Sequence, residues 1–448
     1  MNPSVSLAEA SRYWFQLGWI SFGGPAGQIA LMHQELVERR RWLSEQRYLH
    51  ALNYCMVLPG PEAIQLATYL GWLMHGVAGG LIAGVLFLLP SVIVLITLST
   101  IYVLWGQLPL LAAVFWALKP AVLAIVVQAA WRIGRRTLHT PALVLVAGLA
   151  FAAFSLLQWP YPLVVALAAL AGWGMGRWQP GWLELRPSSE APARLDAGAP
   201  IGGVIHGDNT PTPAHARFSK RRLAITLLVW GLALALPLLL LAGLNGWDGP
   251  LVAMGRFFTQ VALITFGGAY AVLPYVAKAA VQHFGWLSAP QMLDGLALGE
   301  TTPGPLVIVL AFVGFMGGWN TGVFSGPGHW WDALVATLVV VWFTFLPSFG
   351  FILAGAPLVE ASRDNLQLGA PLKVITASVV GVIGSLVLFF AAPVLWPAGT
   401  FDPAMAVLLL LALVALLRWR WGVLPLIGAA ALVGVGHLGL AELRHSLG

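Results

Sequence analysis

The sequence predicts an all-α polytopic membrane protein built from two homologous halves of inverted topology. Three observations lead to this fold class. Of the 448 residues, 59% are hydrophobic and only 9% are charged, whereas soluble domains usually carry about 25% charged residues. Apolar runs of membrane-spanning length recur along the whole chain. A stretch of the first half, with its glycines and prolines, recurs in the second half.

About thirteen apolar segments make up most of the chain. Helices are the expected form, because a helix satisfies its backbone hydrogen bonds internally within the bilayer. A membrane β-barrel would instead show short segments of alternating polarity. In chain order the segments are 12–32, 48–74, 76–104, 109–131, 140–157, 161–176, 223–243, 251–276, 292–316, 332–356, 371–396, 403–417 and 422–437.

The stretch between the sixth and seventh segments is rich in Pro, Gly, Ala and Ser. Because it has little apolar mass, we expect a mostly disordered linker. The predicted organisation is therefore an N-terminal transporter half, a cytoplasmic linker, a connecting transmembrane helix and an inverted C-terminal half. Their limits are 1–176, 177–222, 223–243 and 244–448.

Basic residues predict the orientation, because cytoplasmic loops are enriched in Lys and Arg. They cluster at 39–47, 132–136, 220–222 and 418–420. All four clusters face the cytoplasm if the first two apolar segments are re-entrant hairpins, and this model places the N-terminus inside and the C-terminus outside. Thirteen full spans are the alternative, and both models stay open. The first residues lack a signal-peptide pattern, so we expect insertion into a plasma membrane.

The internal repeat appears when the chain is shifted on itself by 244 residues. Residues 12–61 then align with 256–305 without a gap, and fifteen of the fifty positions are identical. The identities include Phe-Gly-Gly, Trp-Leu-Ser and Pro-Gly-Pro, and further on LLPS echoes FLPS. The single extra segment between the halves inverts the second copy, whose equivalent loop, 281–291, has lost its arginines. Inverted repeats with broken helices are typical of secondary transporters.

Each copy carries two helix breakers inside apolar segments. Paired glycines let the backbone unwind, and unwound backbone at membrane depth is tolerated where it lines a cavity. Half-helix N-termini there offer N–H donors to an anion, although close helix packing is the alternative role for glycine. We predict an anion site from the breakers and their polar neighbours: Phe22, Gly23, Gly24, Pro25, Pro59, Gly60, Pro61 and Gln65, with Phe266, Gly267, Gly268, Thr301, Thr302, Pro303, Gly304 and Pro305.

Basic residues inside apolar segments are candidates for function, because each costs roughly 3 kcal/mol to insert. Lys119 lies near the middle of its segment and is predicted to bind the anion, with a snorkelling or salt-bridged role as the alternative. Lys373 occupies a related position nearer a segment end, where snorkelling is favoured. Arg12 and Arg256 begin equivalent segments and are expected either to draw anions toward the two entrances or to act as interfacial anchors.

Two carboxylates lie beside the Pro-Gly-Pro motifs. Glu62 follows the first motif and Glu300 precedes the second. A carboxylate next to an anion site is useful if it carries a proton during part of the cycle, so both are coupling candidates. The alternative is a carboxylate that faces a helix dipole or pairs with a basic neighbour.

Several functional classes receive no support. No Gly-Lys dipeptide occurs, so a P-loop is excluded, and the lone Cys55 and isolated histidines predict neither a metal site nor a cofactor nor an intramembrane enzyme. The formal charge of +6 and the pI of about 9.7 come from short clusters between segments, so lipid rather than nucleic acid is the expected surrounding. A membrane scaffold without transport conflicts with Lys119 and the repeated breakers.

These motifs resemble the chromate ion transporter family. The resembling stretches include SFGGPAGQIALMHQELVERRRWLSEQ, LPGPEAIQLATYLGWLMHG and TFGGAYAVLPYVAKAAVQHFGWLSAPQMLDGLALGETTPGPL. The resemblance implies a long-chain, two-half member of a bacterial inner membrane that exports chromate and confers chromate resistance. Ala269 stands where the first half has Pro25, so equal roles for the two copies are not implied.

The residues leave four questions open. Sulfate resembles chromate in shape and charge, so a sulfate-type uptake carrier is the main alternative. An anion channel, which needs no coupling carboxylate, is the other. The coupling ion, including the proton, and the choice between a monomer and a homodimer are also open.

Overall fold

The computed structural model describes residues 5–22, 24–178, 180–183, 205, 213–266, 268–361 and 369–447. Within these ranges the regular structure is helical. The α-helices are α1 Leu7–Ile20, α2 Gly24–His33, α3 Glu45–Val57, α4 Glu62–Trp105, α5 Pro109–Thr137, α6 Pro141–Ser155, α7 Tyr161–Trp178, α8 Lys220–Asn245, α9 Pro250–Ile264, α10 Ala269–Lys278, α11 Ala289–Thr301, α12 Val309–Thr321, α13 Trp330–Ala361, α14 Gly369–Leu395, α15 Pro403–Leu417 and α16 Val423–Leu447.

Six of the described helices are long and apolar enough to cross a bilayer, namely α4, α5, α8, α13, α14 and α16. Shorter apolar helices include α6, α9 and α15. The protein is therefore a multi-pass membrane protein. Most of the predicted linker lies outside the described residues, as do Gly23 and Gly267.

Both repeat copies are interrupted at the predicted breakers. In the first copy α1 and α2 are separate helices, as are α3 and α4, and in the second copy the same holds for α9 and α10 and for α11 and α12. A glycine with positive φ lies at each break: +74° at Gly24, +121° at Gly60, +90° at Gly268 and +99° at Gly304. Residues with a Cβ rarely adopt this conformation, which explains why glycine marks the breaks.

The long helix α4 corresponds to parts of two predicted segments. It is non-helical at His75 and Gly76 and so consists of two helical parts. Gly76 has a φ of +67°, which again requires the freedom of glycine. The predicted segment 48–74 is thus α3 plus the first part of α4, with the 59–61 break between them.

The two halves are interlaced. Helix α1 packs on α4, and their repeat equivalents α9 and α13 pack on each other. The last two helices of each half, however, pack on the opposite half: α6 and α7 lie against α14, and α15 and α16 lie against α5. Because α5 and α14 also pack together, they form the central pair of this arrangement.

Helix α8, which connects the halves, packs only along one side. It contacts α9 and α13, and its most apolar window has no buried residue. An apolar helix exposed on so much of its surface is typical of a span that faces lipid.

Candidate functional site

The two Pro-Gly-Pro stretches each lie against the broken segment of the other half. The Gly60 N–H donates to Thr265 O at 2.7 Å, and the Gly304 N–H donates to Ser21 O at 2.7 Å. Gly60 and Gly304 are equivalent in the repeat, as are Ser21 and Thr265. Such an exchange of equivalent partners is what a two-fold relation between the halves produces. We call the region where these four residues meet, Ser21, Gly60, Thr265 and Gly304, the crossing.

A serine from each half packs against the glycine of the other half at the crossing. A Cβ built on Gly304 would overlap Ser91 Oγ, and one built on Gly60 would lie 2.6 Å from Ser348 Oγ. These serines end the LLPS and FLPS motifs of α4 and α13. Both hydroxyls are buried and have no hydrogen-bond partner among the described residues, and the same is true of Ser21 Oγ.

Two buried glutamine side chains hold the breaks in place. The Gln28 amide Nε2 donates to the carbonyl oxygen of Gly304 and, at 3.4 Å, to that of Ser21. The Gln65 amide Nε2 donates to Pro59 O at 2.7 Å. Within the part of the chain that the structure describes, the side-chain carbonyl oxygens of both glutamines have no hydrogen-bond partner. A buried polar atom without a partner costs about 1–3 kcal/mol, so this cluster of them marks a place for water or a polar ligand.

Helices begin at the crossing without side-chain caps. Helix α4 follows Pro61, α10 follows Gly268, and a short 3₁₀ turn, Leu306–Ile308, follows Pro305. None of the three starts has a capping side-chain hydrogen bond. Among the described residues, the first N–H groups of α10 and of the 3₁₀ turn are therefore open to a ligand, whereas the Glu62 carboxylate interacts with its own N–H at the start of α4. The helix dipoles favour an anion.

Glu62 faces the glycine break of the opposite half. A Cβ built on Gly268 would lie 3.9 Å from Glu62 Oε1 and 4.0 Å from Oε2. The Oε2 atom is buried without a partner. The structure thus brings this coupling candidate to the crossing, although the two residues are more than 200 positions apart.

Glu300 is bound to a residue that the sequence analysis did not select. The hydroxyl of Tyr270, the second residue of α10, donates to Glu300 Oε1, and the charge of Arg132 on α5 acts on the same carboxylate. The neighbouring Thr301 and Thr302 hydroxyls both donate to Leu298 O, at 2.8 and 2.7 Å. These two hydroxyls therefore form hydrogen bonds with the backbone at the C-terminal end of α11.

Lys119 lies apart from the crossing. Its charge acts on Asp294, a buried carboxylate that also accepts a hydrogen bond from Tyr102. Tyr102 is about 16 Å from Ser91 along α4, at the rise of about 1.5 Å per residue. The structure gives Lys119 an acidic neighbour, Asp294, that the sequence analysis did not select.

Arg256 lines an open cavity of about 870 Å³, together with Gln260, Lys278 and His283. Lys278 Nζ donates to a backbone carbonyl at 3.4 Å, and among the described residues neither cation of this cavity forms an ion pair with a carboxylate. Arg12, the repeat equivalent of Arg256, is exposed on α1.

The two halves differ at the loop that follows the first break. In the first half Arg40 lies 5.0 Å from the Tyr13 ring centre and 5.1 Å from that of Trp42. Its repeat equivalent, Phe284, stacks on Trp286 at 4.3 Å. The arginine and phenylalanine fill the same aromatic niche, so the loss of charge in the second copy leaves the packing intact. Lys373, by contrast, donates to the backbone oxygen of Leu183.

Comparisons with known proteins show what the chain is similar to. The family model described as "Chromate transporter" matches residues 8–173 and 252–435. A chromate transport protein of Pseudomonas aeruginosa is 31% identical over 86% of this chain and 80% of its own length. A probable chromate transport protein of Synechococcus elongatus is 29% identical over 97% and 96%, and a chromate transport protein of Cupriavidus metallidurans is 28% identical over 97% and 94%. No solved structure matches the chain.

Proposed function

The chain belongs to the chromate transporter family, and we propose that it is a secondary active carrier that exports chromate from the bacterial cytoplasm and so confers resistance to chromate. The names of its relatives support chromate as the transported anion. The direction of transport follows the family resemblance. The inner membrane is the proposed location.

The crossing is the observation that carries this proposal. Uncapped helix starts, glycine breaks and three buried hydroxyls without partners converge there from both halves. A tetrahedral oxyanion accepts hydrogen bonds from such donors, and helix N-termini stabilise its charge. Because both halves contribute to the crossing, movement of one half against the other would open it to one side at a time.

Glu62 and Glu300 are the proposed coupling groups. Glu62 lies beside Gly268, and Glu300 is held by Tyr270, so each carboxyl is tied to the break of the second half. A proton on either carboxyl would remove a negative charge that opposes the incoming anion. Arg256 and Lys278, in their open cavity, are proposed to attract oxyanions to one entrance.

The exchanged contacts at the crossing support a two-fold relation between the halves, and the loss of arginines from the second loop favours an inverted one. We propose re-entrant first segments, a cytoplasmic N-terminus and linker, and an external C-terminus.

Oxyanion flux in proteoliposomes tests the proposed function. Vesicles containing the purified chain are given chromate or sulfate, and a pH gradient or a membrane voltage is imposed separately. We expect saturable chromate movement that sulfate inhibits and that the pH gradient accelerates. Glu62→Gln and Glu300→Gln should reduce that acceleration, whereas Glu38→Gln, an exposed position on the π-helical turn Gln34–Arg39, serves as the control.

Each other outcome points to a different function. Flux that responds to voltage alone and is unchanged in the two glutamine variants would favour an anion channel. Flux of sulfate in preference to chromate, directed inward, would favour the uptake carrier. No oxyanion flux from correctly inserted protein would contradict transport of this substrate class.

A further inference from the structure

A second buried polar cluster lies between α4, α5 and α11, away from the crossing. It consists of Tyr102, Lys119 and Asp294, and we call it the Asp294 cluster. The Tyr102 hydroxyl donates a hydrogen bond of 2.9 Å to Asp294 Oδ2, and the charge of Lys119 acts on the same carboxylate. Because the tyrosine and the lysine belong to the first half and the aspartate to the second, the cluster joins the two halves.

The carboxylate of Asp294 is incompletely compensated. The residue is 5% exposed, and among the described residues its buried Oδ1 atom has no hydrogen-bond partner. Lys119 acts on the carboxylate electrostatically. Ionisable groups inside membrane proteins are costly and usually mark relays or ion pathways. These surroundings are more suitable for a carboxyl group that gains and loses a proton than for one whose role is only to hold helices together.

The same pattern occurs a second time on α11. Glu300 accepts a hydrogen bond from Tyr270, and Arg132 of α5 acts on it electrostatically. The Asp294 and Glu300 positions are about 9 Å apart along the helix axis. Helix α11 therefore presents two carboxyl groups, each with a tyrosine donor and a basic residue of α5, and the Glu300 end adjoins the crossing.

Other helices that pack on α11 supply few further charged groups. Helix α12 contains no ionisable residue. On α14, Lys373 donates to a backbone carbonyl of another segment, and on α16 the His437 ring stacks on a tryptophan of α5 at 4.5 Å. Among the described side chains, the groups that act on Asp294 are therefore Tyr102 and Lys119.

We propose that Asp294 is a proton-binding site that works in the transport cycle, with Lys119 as the charge that compensates it when it is ionised. This inference rests on the proposed function and adds a third carboxyl group to the two at the crossing. A proton taken from water neutralises the carboxylate and leaves the Lys119 ammonium without a counter-charge. Return of the proton to water restores the pair. The contact between the halves thus changes strength with the protonation of one residue.

Charge-neutralising variants of the full chain in proteoliposomes separate this role from a structural one. Asp294→Asn leaves the half-buried Lys119 charge uncompensated, and Lys119→Met leaves the buried Asp294 charge uncompensated, so the yield of folded protein should fall in each case. The double variant removes both charges and should recover that yield. We expect the flux that it retains to have lost its acceleration by a pH gradient. Asp332→Asn is the matched control, because this buried carboxylate accepts hydrogen bonds from three backbone N–H groups of a loop.

Infrared difference spectra between high and low pH provide a readout that does not require transport. Wild-type protein and Asp332→Asn should both show the full protonated-carboxyl band, whereas the Asp294→Asn/Lys119→Met double variant should lack the Asp294 component and keep those of Glu62 and Glu300. A double variant with the full wild-type band, or with an unchanged response to the pH gradient, would overturn the proposal. If the wild type moved no oxyanion but showed the band, the proposed function would fail and the proton site at Asp294 would stand.

Discussion

At the scale of single residues, two positions at the crossing have no room for a side chain and therefore require glycine. Gly304 meets Ser91, and Gly60 meets Ser348, so each glycine has both a positive φ and a close neighbour from the opposite half. The sequence marked both glycines as breakers. It did not show that a side chain from the other half would occupy the space beside each of them.

Replacement of Gly304 by alanine should disrupt both folding and transport. Its Cβ would overlap the Ser91 hydroxyl, and overpacking of this kind typically costs about 1–3 kcal/mol. We expect a lower melting temperature and loss of flux, with partial recovery when Ser91→Gly is added. Gly148→Ala on α6, where the new Cβ meets open space, is the control. An alanine at position 304 with normal melting and flux would contradict the close contact.

The serine hydroxyls at the crossing should matter for binding and not for stability. Ser91→Ala and Ser348→Ala each remove a buried hydroxyl that has no partner, so the melting temperature should stay the same or rise. If these hydroxyls bind the oxyanion, its KM should rise about tenfold for a lost hydrogen bond of about 1.4 kcal/mol. Ser99→Ala is the control, since that hydroxyl donates to Leu95 O on the same helix. Unchanged KM values in both test variants would show that these hydroxyls do not bind the oxyanion.

At the scale of helices, the sequence predicts where the helices break, because Gly and Pro act locally. It does not predict which other segments the broken helices contact. Gly and Pro interrupt a helix wherever they occur in this pattern, so the ends of α1, α3, α9 and α11 are readable from the sequence. Gln28 and Tyr270, by contrast, gain their roles from groups that lie far away in the sequence, the Gly304 carbonyl in the second Pro-Gly-Pro break and the Glu300 carboxyl of α11. The LLPS and FLPS echo was the available signal for Ser91 and Ser348.

Opposite orientation of the equivalent loops can be measured directly. Glu38 and Gln282 are equivalent in the repeat and both are exposed. In a background without Cys55, a cysteine at position 282 should react with a membrane-impermeant maleimide on intact cells. A cysteine at position 38 should react only after permeabilisation, because the arginine-rich loop is expected in the cytoplasm. Labelling of both positions from one side would contradict inversion and favour parallel repeats.

At the scale of the whole molecule, the exchange of terminal helices makes each half depend on the other. Helices α15 and α16 cover α5, and α6 and α7 cover α14. A half expressed alone would leave one of these long helices without its partners. The match of the family model in two separate parts, 8–173 and 252–435, therefore describes two copies of a sequence that pack as one unit.

A chain divided within the linker should work only when both pieces are present. We expect residues 1–183 and 213–448, expressed separately, to be degraded or to aggregate, and co-expression to restore a complex that purifies together and moves oxyanion. The physical reason is that the apolar faces of α5 and α14 need helices from the opposite piece. Stable, monodisperse preparations of either piece alone would contradict this mutual dependence.

The sequence by itself determined the membrane setting, the repeat, the positions of the breaks and the family. These features depend on composition and on local backbone chemistry, which can be read along the chain. Only the tertiary structure decided that each Pro-Gly-Pro stretch binds the other half, that the charge of Lys119 acts on Asp294, and that the last helices exchange partners. In a membrane protein, faces that contact lipid and faces that contact helices are both apolar, so hydropathy does not specify which helices meet.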